Sequence, residues 1–223
     1  MKKYIYILPI TLIIISILIS CKKNDTSDVL KDCGASIKDK TWWGQLTYNG
    51  QTAEYYAVHF NADSTLIWSQ LSGNYPGVWA INGKQLKMTF PALGSEIKGD
   101  ISDNDTLMNI TDNNASVTIN SGKLIADPYV FLDNTVWKGA YRDVEGISQP
   151  MQITFKPNYK VEIKYTEGPI HQYLYTRTES GRGGVVRVDV NNGLFFIFGV
   201  ITSGNEMKGS KVDSDTPWQA TKQ

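Results

Sequence analysis

His59 and His171 are the only two histidines in this 223-residue chain, so they are the first residues to weigh for acid–base or metal chemistry. Two imidazoles do not make a zinc site unaided, because the metal wants three or four nitrogen or sulfur ligands. His59 stands at an outward position of the alternating run "AVHF", and His171 stands in "GPIHQY", a segment with turn formers. Both are expected as solvated or turn residues. Carboxylates cluster in "SDNDT" (102–106) and "DSDTP" (213–217). Calcium needs six to eight oxygens, and isolated Asp-x-Asp stretches read as hairpin chemistry instead. "GRGG" (181–184) leads into no helix that could cradle a phosphate. No serine sits in a Gly-x-Ser-x-Gly turn. The expectation is therefore no catalytic residue, no metal and no cofactor.

The charge balance narrows the partners. Lys plus Arg equals Asp plus Glu at 22 each, which gives no basic face for DNA or RNA, so no nucleic acid is expected. At 41% hydrophobic residues the chain has enough apolar surface for a packed core, in one large or two small domains.

The N-terminus carries the clearest localisation signal. "MKKYIYILPITLIIISILIS" opens with two lysines and continues as an apolar run too short to span a membrane comfortably. Leu18-Ile19-Ser20-Cys21 then resembles the lipobox of bacterial lipoproteins. That resemblance implies cleavage before Cys21 and acylation of its thiol and new amino group. An uncleaved anchor with an incidental cysteine is the alternative. Two or more acyl chains anchor stably where one does not. The implied location is the bacterial cell envelope, at the outer membrane, with the lipid as the membrane partner. With Cys21 acylated, Cys33 has no intramolecular disulfide partner, and it is either a small buried hydrophobe or a free thiol.

Residues 1–20 are thus expected as signal peptide, and 21–34 as a lipidated flexible tether reaching roughly 20 Å. From residue 41 onward, "AVHF", "TLIWSQL", "GVWAI", "QLKMTF", "EIKGDI", "TLMNI" and "SVTI" alternate between turn residues as strands do. No helical period is sustained. "TWWGQL" (41–46) is echoed by "TVWKGA" (135–140), and the echo continues. Trp42, Gly44, Phe60 and Leu66 match Trp137, Gly139, Phe155 and Val161 at an offset of 95. Leu86, Met88, Ile97, Gly99 and Leu107 match Val186, Val188, Ile197, Gly199 and Met207 at an offset of 100. The extra residues fall in "TEGPIHQYLYTRTESGRGG", read as one longer hairpin loop. Such periodicity means two copies of one domain, 35–125 and 126–223. Each copy is expected as a small antiparallel meander β-barrel of about eight strands, since closure removes exposed edges.

The order W-x-G, hFxxD/N, GxW and I-x-G-x-I resembles the lipocalin-like domains of bacterial lipoproteins, through Trp42, Gly44, Phe60, Asp63, Gly77 and Trp79. The second copy departs from it, with Leu174 standing about where Trp79 should be. The resemblance implies a binding protein for a small apolar molecule. Trp42, Trp68 and Trp79 are expected inside the first barrel, which favours a filled core over a ligand cavity.

Period-two alternation sorts the faces. Val161, Ile163 and Tyr165 alternate with Lys160, Glu162 and Lys164, so the apolar set points in and the register transfers to Leu66 and Trp68. Trp43 and Ile67 then point outward where the second copy has Lys138 and Glu162. Conversely, Glu96, Lys98 and Asp100 become Phe196, Phe198 and Val200. Outward apolar residues mark an interface. Trp43, Ile67, Phe196, Phe198 and Val200 are therefore candidate interface residues through which the two domains dock; the alternative is a strand buried on both faces within its own domain. The function expected is a lipid-anchored, non-enzymatic binding or interaction protein of the envelope. The second reading is a structural accessory subunit that offers these surfaces to an envelope protein.

Overall fold

The computed structural model describes residues 37–223 apart from positions 50, 115, 126–129, 144, 166–167, 178–183, 191–194 and 212–215. Cys21, Cys33, the signal and tether segments, most of "GRGG" and the first three residues of "DSDTP" lie outside the described residues. The remainder is built from strands. The first copy contributes β1 (Lys40–Tyr48), β2 (Glu54–Phe60), β3 (Thr65–Gln70), β4 (Gly73–Asn82), β5 (Gln85–Phe90), β6 (Ser95–Ile101), β7 (Thr106–Asp112), β8 (Val117–Ile119) and β9 (Gly122–Leu124). The second contributes β10 (Val136–Arg142), β11 (Ser148–Lys156), β12 (Lys160–Tyr165), β13 (Ile170–Arg177), β14 (Val185–Val190), β15 (Phe195–Ser203), β16 (Glu206–Lys211) and β17 (Thr216–Lys222).

Each copy is an antiparallel meander that closes on itself. The second closes where β10 pairs with β17. In the first, β1 pairs with β2 on one side and with β8 and then β9 on the other, so those two short strands together hold the eighth position. The fold is all-β, with two closed eight-stranded barrels in tandem. Closure satisfies the backbone of every strand and leaves no edge to aggregate.

The repeated residues are the ones that fill the barrels. Trp42 and Trp137 are 1% and 0% exposed, and Phe60 and Phe155 are fully buried beside them. In the first barrel Phe60 meets Trp42 edge-on at 5.4 Å and Trp79 at 5.8 Å. The glycines of I-x-G-x-I have a packing reason. A Cβ on Gly99 would come within 2.8 Å of Leu107, and one on Gly199 within 2.9 Å of Met207. These glycines make room for the long side chain that the next strand sends into the core.

Three expectations need correction. "GPIHQY" is not a loop: β13 runs through it, and His171 pairs with Ile163. The length change is therefore split in two. Gly77 faces Leu66 as Tyr173 faces Val161, an offset of 96, whereas Met88 faces Trp79 as Val188 faces Tyr175. One extra residue precedes β13 and four follow it. Consequently Tyr175, not Leu174, is the counterpart of Trp79: Tyr175 is 5% exposed and packs edge-on against Phe155 at 5.0 Å, while Leu174 is 64% exposed. Finally, His59 is not solvated. It is 4% exposed and shares a hydrogen bond of 2.9 Å with Thr41 Oγ1. Alternation shows which face a residue takes, not whether a neighbour covers that face.

Candidate functional site

The first barrel is closed at one end and open at the other. Ile37 plugs the closed end, where the indoles of Trp42 and Trp79 donate to the carbonyls of Asp105 and Asn61 at 2.8 and 3.2 Å. Between the loops at the opposite end lies a cavity of about 490 Å³. The core beneath it is packed, and the cavity that the sequence did not lead us to expect lies at the mouth. The three tryptophans are buried as expected, but they pack toward the closed end and the wall, and the mouth is left open.

The cavity has an apolar floor and a polar rim. Leu46, Trp68, Phe90 and Ile97 form the depth, and β1, β3, β5 and β6 present them through their inward registers. Trp68 is held on its far side by Tyr56, whose ring stacks on it at 4.2 Å, and Phe90 meets it edge-on at 6.2 Å. The polar rim begins one step further along β3. Gln70 is 4% exposed and accepts from Trp68 Nε1 at 2.8 Å. Its amide donates to the Tyr48 hydroxyl at 2.6 Å and to Ser72 Oγ at 2.7 Å, and Ser72 bonds the Tyr75 hydroxyl at 2.9 Å. A connected network of this kind holds each member in one orientation. Burial pushes the Tyr48 hydroxyl above its ordinary range; the Gln70 hydrogen bond opposes that, and the neighbouring Glu54, Tyr75 and Asp112 add to it. On the opposite rim Asp112 Oδ1 accepts from Ser95 Oγ and from the Asn114 amide at 3.2 and 2.9 Å.

Sequence reasoning passed over Tyr48, Gln70, Tyr75 and Asp112. A signal was present for Gln70: it shares the inward parity of Leu66 and Trp68, and a polar residue at a core position marks an exception to the pattern.

At the matching end of the second barrel the described residues place an ammonium over aromatic rings. Lys211 Nζ lies 5.1 Å from the Tyr141 ring and 5.6 Å from the Tyr165 ring, and those rings meet edge-on at 5.4 Å. His171 stacks on Tyr173 beside them at 6.1 Å. An ammonium over aromatic faces is a favourable pairing.

The candidate interface residues fall as follows. Phe198 and Val200 are fully buried in a cluster with Ala57 and Leu71 of the first barrel, Ile125 and Val185. Their strand neighbours Ile197 and Ile201 belong to the core of the second barrel. β15 is thus buried on both faces, by its own barrel on one side and by the first barrel on the other. Trp43 is half-buried against this cluster beside Tyr55, with Lys208 Nζ 5.0 Å and Lys123 Nζ 5.8 Å from its ring. Polar contacts cross between the barrels as well: Tyr55 N–H donates to Ser210 Oγ at 2.8 Å, and Arg187 Nη1 donates to the Gln70 carbonyl at 3.1 Å. Ile67 is half-buried next to His59 and is not part of the cluster. The side chain of Phe196 lies outside the described residues.

Among the described residues no three His, Cys, Asp or Glu side chains stand close enough to hold a metal ion. The tandem barrels are consistent with a lipocalin-like architecture. No family model matches the chain, and no curated protein matches it.

Proposed function

We propose that this chain is a lipid-anchored, lipocalin-like lipoprotein of the bacterial cell envelope, held at the outer membrane through Cys21, whose first barrel binds one small, largely apolar molecule without transforming it. The observation that carries this reading is the cavity of about 490 Å³ at the mouth of the first barrel. Its size falls within the range of ordinary ligand sites, and its plan of apolar floor plus a few oriented polar groups is the usual one. The second barrel acts as a brace in this reading: its β15 packs against the outer face of the first barrel. The accessory-subunit reading, which would offer Trp43 and Phe196–Phe198 to a partner, is weaker, because Phe198 is already buried within the chain.

Native mass spectrometry of the chain released from its host's membrane tests the binding reading. The expected result is a mass excess of a few hundred daltons that disappears in Gln70→Leu together with Trp68→Ala. Metabolic labelling with an alkyne fatty acid tests the anchor: label and membrane fractionation should both be lost in Cys21→Ala.

A further inference from the structure

The two barrels carry opposite charges at one matched position. In the second barrel Ile197 pairs with Lys211. In the first, Ile97 pairs with Asp112. The match is hidden in the sequence because β7 contains one extra residue: its register against β6 shifts between Lys98 and Asp100, where Asn109 takes a left-handed φ of 50° and bonds Asp100. Correcting for that bulge places Asp112 where Lys211 stands. In the second barrel the position supplies an ammonium that lies over two tyrosine rings. In the first it supplies a carboxylate, which lines a cavity among the described residues.

The rest of the rim has the same electrostatic character. No Lys, Arg or His is among the described residues that line the cavity, and Asp112 is the one charged residue that does. Glu54, on the inward parity of β2, lies close enough to act on Tyr48. Its Oε2 is buried without a hydrogen-bond partner among the described residues. Tyr48 and Tyr75 add aromatic rings at the rim, suited to a positive charge with an apolar body. Among the described lining residues a carboxylate or phosphate ligand would meet no counter-charge and would face Asp112, a placement that costs affinity.

We infer that the first-barrel cavity selects a small organic cation, an amine or quaternary ammonium on an apolar body, and that Asp112 is its counter-ion. The inference rests on the reading of the cavity as a ligand site and adds the charge of the ligand. Three probes with one skeleton separate the two claims: phenylbutylamine, phenylbutanoate and phenylbutanol, titrated into the full chain in lipid nanodiscs with tryptophan fluorescence as readout and empty nanodiscs as blank. The amine is expected to bind about tenfold more tightly than the carboxylate, as one partly screened ion pair allows. Asp112→Asn, which keeps an acceptor for Ser95 and Asn114, should bring the two within about threefold and leave the alcohol's affinity unchanged. If Asp112→Asn fails to fold, salt gives the same answer in the unaltered chain. Raising ionic strength from about 0.01 to about 1 M shortens the Debye length from about 30 to about 3 Å, and should compress the amine's advantage. Equal binding of all three probes, or tighter binding of phenylbutanoate, overturns the cation assignment and leaves the cavity a ligand site. Binding of none of them removes both. An amine preference that survives Asp112→Asn overturns the role given to Asp112.

Discussion

Arg187, on β14 of the second barrel, donates from Nη1 to the backbone carbonyl of Gln70, the residue at the centre of the first barrel's rim network, at 3.1 Å. The outer face of β3 is thereby tied to one barrel while its inner face lines the cavity of the other. Hydrogen bonds from charged donors contribute about 1.5–3 kcal/mol each, so Arg187→Ala should lower stability by at least about 1 kcal/mol in urea unfolding. It should also loosen the orientation of Gln70 and weaken ligand binding several-fold. An unchanged affinity would show that the wall is held by its own barrel alone.

The apolar cluster between the barrels should be the larger contribution. Phe198 is 0% exposed and fills space bounded by both copies. Truncating a buried phenylalanine costs about 3–5 kcal/mol, and Phe198→Ala should do so here. In a docked pair the loss also uncouples the two halves, so a single urea transition should separate into two. Leu174→Ala, at a side chain 64% exposed, is the control and should change stability by under about 0.5 kcal/mol.

Glu54 gives a pH signature. Burial raises its carboxyl above the ordinary range. A raised acid is at its most favourable below the unfolded value of about 4.3, and that advantage is lost as pH climbs through the folded value. Glu54→Gln mimics the protonated form at every pH. The variant should therefore melt higher than the parent at pH 7, with the gap closing as pH falls toward about 4. Equal melting temperatures throughout would mean that the Glu54 carboxylate is well solvated.

The tyrosines act in the same direction at the alkaline limit. Burial raises Tyr56 and Tyr48 above the ordinary phenol range, and Tyr56 also donates to the Asn120 carbonyl at 3.2 Å. Their contribution is present below the unfolded value of about 10 and is lost as pH passes through their higher folded values. Tyrosinate absorbance should thus rise in two stages. The later stage, from Tyr56 and Tyr48, should come only as the fold opens. A single early rise would contradict the burial of Tyr56.

What could be read beforehand followed from periodicity. The offset between Trp42 and Trp137, and the alternation that sorted Val161 from Lys160, depend on local rules of strand geometry, and they gave the fold class and the inward faces. Three features were not legible, each because a local rule meets a tertiary fact. His59 is outward but buried, because coverage by a neighbour leaves no periodic trace. Tyr175 replaces Trp79 because two small insertions act where one offset change was visible. Asp112 and Lys211 fall out of alignment by one residue because a bulge at Asn109 absorbs it. The cavity was missed because tryptophan content says how much aromatic volume exists, not which end of the barrel it fills.

The charge inversion across the repeat can be tested from the second barrel without any ligand. Lys211 Nζ lies within 6 Å of two tyrosine rings, 5.1 Å from Tyr141 and 5.6 Å from Tyr165, so replacing it forfeits two cation–π contacts. Contacts of this type are worth about 0.5–2 kcal/mol, and Lys211→Met, which keeps the apolar stem, should destabilise the chain by about 1 kcal/mol. It should also free the Tyr141 and Tyr165 rings for another cation, so phenylbutylamine binding should move from one site per chain to two. Asp112→Lys is the converse experiment. A lysine at the matched position of the first barrel has Trp68, Tyr48 and Tyr75 within the same rim. It should close the first mouth to the amine and leave the second barrel as it was. A stoichiometry that stays at one in Lys211→Met would show that the Lys211 ammonium is not what keeps the amine from these rings.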